Sequence, residues 1–314
     1  MRHNIFVSLA AAIIALCTVC GAEALSLAER LNFSRAFELA AAGTPEQLRQ
    51  AVSEGVNFNV EKYLIFDEDD NLVLNDLDYD IDYEFDSSTP LHAAAARNRN
   101  PESIRFLISL SLDVNAIAAA GNTIDETPLT CAIRNKNNIQ VITELLNAGA
   151  APDAWNSGDN YSVFHLVASE CRDYSYAKAV IDALIRAGGN VNAHYKFTRE
   201  EIKDLYKNKT PSDFRIIWSR SNPFGDAIYG LSHAARGNFL SSFTPLMYAV
   251  LFNNPDAVNI LLDSGADPNI RSLEGKTALD YAKMQPKTTK LRRSDAFIRL
   301  QKVSRQTKTP QTRK

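Results

Sequence analysis

Histidine, cysteine and carboxylate are the residue types through which this chain of 314 residues could do chemistry, and their spacing decides which kind. Of five histidines, His194 and His233 lie in one long stretch, 193–243, where pairing with Asp213 or Asp226 would be needed to make a base or a metal site. Nothing in the spacing supports that pairing. Eleven acids crowd the stretch from Val60 to Ser88 against the single Lys62, a net charge of −10. Read as a calcium loop starting at Asp76, the spacing fails: Ile81 stands where glycine is needed and Ser87 where glutamate is needed. Beyond the first 24 residues there is no Cys-x-x-Cys. The chain also lacks a His-Glu-x-x-His, a glycine-rich phosphate loop and a Gly-x-Ser-x-Gly elbow. A chain without catalytic residues, metal site or cofactor is the expectation.

The elements that would position any site come from a recurring opening. It reads Thr89-Pro90-Leu91, Thr127-Pro128-Leu129, Ser162-Val163-Phe164, Thr244-Pro245-Leu246 and Thr277-Ala278-Leu279, with steps of 38, 35, 82 and 33 residues. The step of 82 is two periods, so one unit is stretched or hides a decayed one; Lys209 to Phe214 faintly echoes the closing motif. The Thr or Ser can cap a helix through its hydroxyl, and proline tolerates the first turn because no backbone donor is needed there. Small residues follow (Ala94-Ala95, Cys131-Ala132, Ala249-Val250), then paired large ones (Leu107-Ile108, Leu145-Leu146, Leu184-Ile185, Leu261-Leu262). The pattern predicts two helices per unit, the first close to its neighbours and the second filling the space between layers. Gly149, Gly188 and Gly265 then end the second helix in the left-handed conformation, and Asn115, Asn192 and Asn269 open the turn.

On these residues the chain resembles the ankyrin repeat, whose pattern is matched from Thr89 to Asn115 and from Thr244 to Asn269. The resemblance implies an all-α solenoid of about six helix-turn-helix units over 25–303, near 34–59, 89–115, 127–153, 162–192, 244–269 and 277–303. Phe37 to Asn59 reads as a degenerate opening unit and Ser294 to Val303 as the last second helix. It also implies that His92 and His165, with Thr89, Pro90, Thr127, Pro128, Thr244 and Pro245, are structural. Two departures matter. Ser111 replaces the family's glycine, which predicts a turn strained by roughly 1 kcal/mol or differently shaped. The fourth unit carries five extra residues around Tyr174 to Lys178, which predicts an irregular joint between its helices. Cys131, midway along one first helix, and Cys171, at the far end of the next, are too far apart along stacked axes to bridge. They are expected to be buried thiols.

Arg2 and His3, the apolar run Ile5 to Cys20 and Ala22-Glu23-Ala24 have the form of a secretory signal, cleaved after Ala24. The run is shorter than the ~20 residues a bilayer span needs, so no stable span is expected after cleavage. The signal looks bacterial, placing the mature chain in the periplasm or outside the cell.

Two insertions, 60–88 and 193–243, enlarge the connections that form the projecting hairpins of an ankyrin stack, so both should emerge along one edge. In the first, acids alternate with apolar residues from Asp76 to Phe85, the period of a strand, and Tyr63 to Phe66 is the candidate partner of a small β-hairpin. Asp76, Asp78, Asp80, Asp82 and Glu84 are its candidate partner-binding residues. Trp218, Phe224 and Tyr229 are those of the second, either as anchors or as a private core. From Lys283 to Lys314 eleven basic residues face one acid, Asp295. For an exported protein this suits an anionic surface better than nucleic acid, with 304–314 a basic disordered tail. The functional expectation is a non-catalytic module that binds a protein through its hairpin tips, the exposed side of its first helices and the insertions. A secreted effector acting on host proteins is the alternative, and an enzyme housed in 193–243 a weaker one.

Overall fold

The computed structural model describes residues 27–60, 62–63, 87–118, 126–156, 161–194, 196, 200 and 242–306. Twelve α-helices among them pair into six layers. The first layer is α1 (Leu27–Ala42) with α2 (Pro45–Ser53), the second α3 (Pro90–Arg97) with α4 (Pro101–Ser109), and the third α5 (Pro128–Arg134) with α6 (Ile139–Asn147). The fourth is α7 (Val163–Glu170) with α8 (Tyr174–Arg186), the fifth α9 (Pro245–Leu251) with α10 (Pro255–Asp263), and the last α11 (Ala278–Met284) with α12 (Asp295–Gln306). First helices stack on first helices, second on second, and α9 packs directly on α7 across the long excursion between them.

Local chemistry sets each boundary. Thr127, Thr244 and Thr277 cap α5, α9 and α11 by accepting from the backbone N–H three residues on; on the second helices Asp173 and Asn254 do the same, and Asn100 and Asn138 accept from the N–H two residues on. Gly55, Gly149, Gly188 and Gly265 end second helices at φ between 86° and 92°. Ser111 stands in the same place at φ 62°. The turn therefore keeps its shape, and the side chain carries the cost of a left-handed backbone. Ser111→Gly is expected to raise stability by roughly 0.5–1 kcal/mol, read as a higher urea midpoint; an unchanged or lower midpoint would show that the serine is unstrained.

The predicted irregularity in the fourth layer is absent. Its joint is as short as the others, because Asp173 Oδ1 accepts from Tyr176 N at 2.8 Å and starts α8 at once. The surplus lengthens that helix to 13 residues, where α4, α6 and α10 have nine. No glycine or proline in Tyr174 to Lys178 interrupts it.

Three series of polar contacts fasten the layers. At the helix joints Asn98 Nδ2 donates to Ala40 O and Gly43 O, both at 3.0 Å, and Asn254 Nδ2 to Ala168 O and Cys171 O at 3.1 and 2.9 Å. Asn137 does the same to Ala95 O and Asn98 O. In the fourth layer Cys171 occupies this position and supplies no amide. At the outer turns Asn115, Asp153 and Asn192 each accept from a backbone N–H of the next unit, at 2.7–2.8 Å. The third series is the histidines described below. Cys131 and Cys171 are both free and buried.

Among the described residues strands are confined to the connections. β1 (Lys62–Tyr63) pairs antiparallel with β2 (Ser87–Ser88), and β3 (Trp155–Asn156) with β4 (Tyr161–Ser162). A single bridge joins Ala118 to Glu126. Tyr63 thus lies opposite Ser87, beyond the alternating run 76–85, which itself falls outside the described residues.

Candidate partner-binding surface

Every hairpin root leads into the capping residue of a first helix, so the roots form one edge. The first insertion is rooted at β1 and β2, and the second leaves after Ala193 and returns at Ser242. The return is fixed firmly: Phe243 is wholly buried, its carbonyl lies 2.7 Å from His165 Nε2, and Ser242 Oγ accepts from Leu273 N. Asp76, Asp78, Asp80, Asp82, Glu84, Trp218, Phe224 and Tyr229 lie outside the described residues, as do 1–26, 307–314, Asp213, Asp226 and His233; residues 304–306, expected to open the disordered tail, instead continue α12, with Ser304 buried.

Two histidines bolt this edge together. His165 Nδ1 accepts from Ser162 N at 3.0 Å and from Ser162 Oγ at 2.8 Å, so Nε2 carries the proton and donates to Phe243 O. His92 repeats the arrangement with Thr89, its Nε2 reaching Glu126 O at 3.1 Å. Each ring caps its own helix and fastens the residue preceding the next layer's cap. Burial holds the His165 imidazole down at about pKa 4, and its side chain is closed off from solvent. These rings are structural. His194 Nδ1 sits 2.8 Å from the carbonyl two residues before it, Asn192 O, and among the described residues no group of three or more His, Cys, Asp or Glu could hold a metal.

The first helices offer less surface than expected. Residues 90–96, 128–133, 163–169 and 245–251 are buried throughout, including Leu166, Tyr248 and Leu251. What reaches solvent lies at the C-terminal end of three of them, Arg97, Asn135 and Glu170 being exposed, whereas α9 is buried to its last residue. Here the sequence reading missed a cluster. Arg134 donates through Nε to Glu126 Oε1 at 2.5 Å and through Nη1 to Glu170 Oε1 at 2.7 Å, while the Cys131 thiol donates to Glu126 Oε2 at 3.1 Å. Glu126 is 2% exposed. Burial, then the charge of Glu126, pushes the Cys131 thiol well above its ordinary range. Burial and then Glu170 push Cys171 up to about 11. Neither thiol is a nucleophile near neutral pH. Burial also raises the Glu170 carboxyl against the opposing pull of Arg134. The one available signal was Arg134 itself, a charge where the neighbouring first helices have Ala96, Ser169 and Leu251.

Family models for ankyrin repeats match residues 48–156 and 236–282. The stack is an ankyrin-repeat solenoid. Among curated proteins the chain is 32% identical over 203 residues to a mitochondrial disaggregase of Homo sapiens, covering 64% of this chain and 26% of that protein. It is 27% identical over 197 residues to a putative palmitoyltransferase ZDHHC13 of Danio rerio, covering 62% and 27%. The chain therefore spans about a quarter of the length of these relatives. An ankyrin-repeat region is a protein-interaction module, and among the described residues no helix is long and apolar enough to cross a membrane.

Proposed function

We propose that this chain is a non-catalytic ankyrin-repeat module, exported to the periplasm, that holds a protein partner along its hairpin edge with the two insertions. The observation that carries this reading is the alignment of the described hairpin roots, at which both enlarged connections begin and end on one side of the stack. A preorganised surface loses little entropy when a partner docks. The composition of the insertions supports it too: one is strongly acidic and the other carries Trp218, Phe224 and Tyr229. The basic C-terminal segment is read as touching an anionic surface.

The test is capture from periplasmic extract by the full chain and by variants lacking 64–86 or 197–241. Loss of a specific protein from either deletion is expected, and equal capture by all three overturns the assignment. Replacing Asp76, Asp78, Asp80 and Asp82 by Asn should weaken a basic partner and flatten its salt dependence. Export is checked separately by sequencing the N-terminus of the mature protein, expected at Leu25.

A further inference from the structure

We infer that the outer face of the last layer is a docking surface for an anionic lipid bilayer. The inference rests on the reading of the basic C-terminal segment given above, and is independent of the compartment. Of the cations from Lys283 to Arg305, Lys290 pairs with Asp256, Arg299 with Asp263, and Arg292 lies 4.1 Å above the Phe297 ring. Lys283, Lys287, Arg293, Lys302 and Arg305 are exposed and form no ion pair among the described residues. The helix pattern of α12 sorts them. Ala296, Phe297 and Leu300 are buried and Arg299 reaches α10, whereas Asp295, Ile298, Lys302 and Arg305, spaced by three, four and three, form the opposite, solvent-facing stripe, with its one acid at the first turn and both cations toward the C-terminal end.

Apolar exposure selects the partner class. A terminal layer of a solenoid ordinarily needs a polar outer face. Here Ile298, on the stripe of Lys302 and Arg305, is 64% exposed, and Met284, between Lys283 and Lys287 in the chain, 41%. Long basic side chains around exposed aliphatic ones match the boundary between phosphate headgroups and acyl chains, where the charge stays wet and the methyl groups bury. A single-stranded nucleic-acid surface would add aromatic platforms, and a duplex would give exposed aliphatic side chains nothing to bury against. In this layer Tyr281 and Phe297 are buried.

The experiment is co-sedimentation of the full chain with vesicles of phosphatidylcholine alone, or of phosphatidylcholine and phosphatidylglycerol in equal parts, over a salt series. Binding to the neutral vesicles sets the baseline for the apolar stretch 5–20. Phosphatidylglycerol-dependent binding that falls with salt is expected. Each cation near such a surface contributes about fivefold, so Lys302→Glu with Arg305→Glu should weaken it at least ~20-fold. Ile298→Asp should weaken it and Ile298→Trp tighten it, with circular dichroism unchanged in both because the residue is exposed. No dependence on phosphatidylglycerol, or equal binding by the charge-reversed variant, overturns the inference. Competition by heparin together with indifference to Ile298→Asp would show binding to soluble polyanions instead, which also overturns it. Neither deletion used in the capture assay touches this face, so the two readings fail separately.

Discussion

Acidification from pH 7 to pH 4 is expected to cost the folded stack about 3 kcal/mol through His165 alone. The ring is buried, its Nδ1 accepts from Ser162 and its Nε2–H donates to Phe243 O, so the folded state requires the neutral form. Its pKa lies at about 4 against an ordinary 6.5. The sign follows from which state takes up the proton first. Above pH 6.5 neither state is protonated and the full stability is present. Between 6.5 and 4 the unfolded chain binds a proton that the folded chain refuses, so stability falls; below 4 no further loss comes from this group. Glu170 acts in the opposite direction, since burial raises its carboxyl, but it is partly exposed and shares Arg134 with Glu126. Urea titrations at steps between pH 7 and 4 read the slope. His165→Gln should be less stable at pH 7 and lose most of this slope; an identical slope in that variant would place the acid sensitivity elsewhere.

Arg134→Met is the second large effect, an expected loss of about 3 kcal/mol. The guanidinium spans two layers, and its removal leaves the Glu126 carboxylate, with a side chain 3% exposed, held among the described residues only by the Cys131 thiol. The backbone of Glu126 is anchored as well, to Ala118 and to His92, so the side chain cannot swing out to water without disturbing the hairpin root. Adding Glu126→Gln to Arg134→Met should restore most of the loss by removing the stranded charge. A single variant within ~1 kcal/mol of the parent, or a double variant no better than the single, would show that the pair is dispensable.

The layers were legible because their signals are local. Thr127 to Thr130, Thr244 to Met247 and Gly149 after Leu146 lie within one helical turn, and the stacking histidines recur in a fixed frame. The cluster of Glu126, Arg134 and Glu170 was not legible, since its partners stand eight and 36 residues apart and meet only once two layers are superposed. The lengthened α8 was misread as a disturbed joint because a count of surplus residues does not say which element absorbs them; the Asp173 cap does. Alternation in 76–85 gave a strand expectation whose described portion reaches only the root, and the candidate partner residues lie beyond the described chain.

Cys171 has a mechanical meaning. Where Asn98, Asn137 and Asn254 send two amide hydrogens into the layer before them, this thiol sends none, and Thr130 stands where His92 and His165 reach the following layer, so the seam between the third and fourth layers lacks both clasps and carries the half-exposed Arg134–Glu170 ion pair instead. Because a solenoid's cohesion is the sum of nearest-neighbour interfaces, a chain loaded from its two ends is expected to come apart at that seam, freeing the N-terminal half with its acidic excursion from the C-terminal half with its basic end.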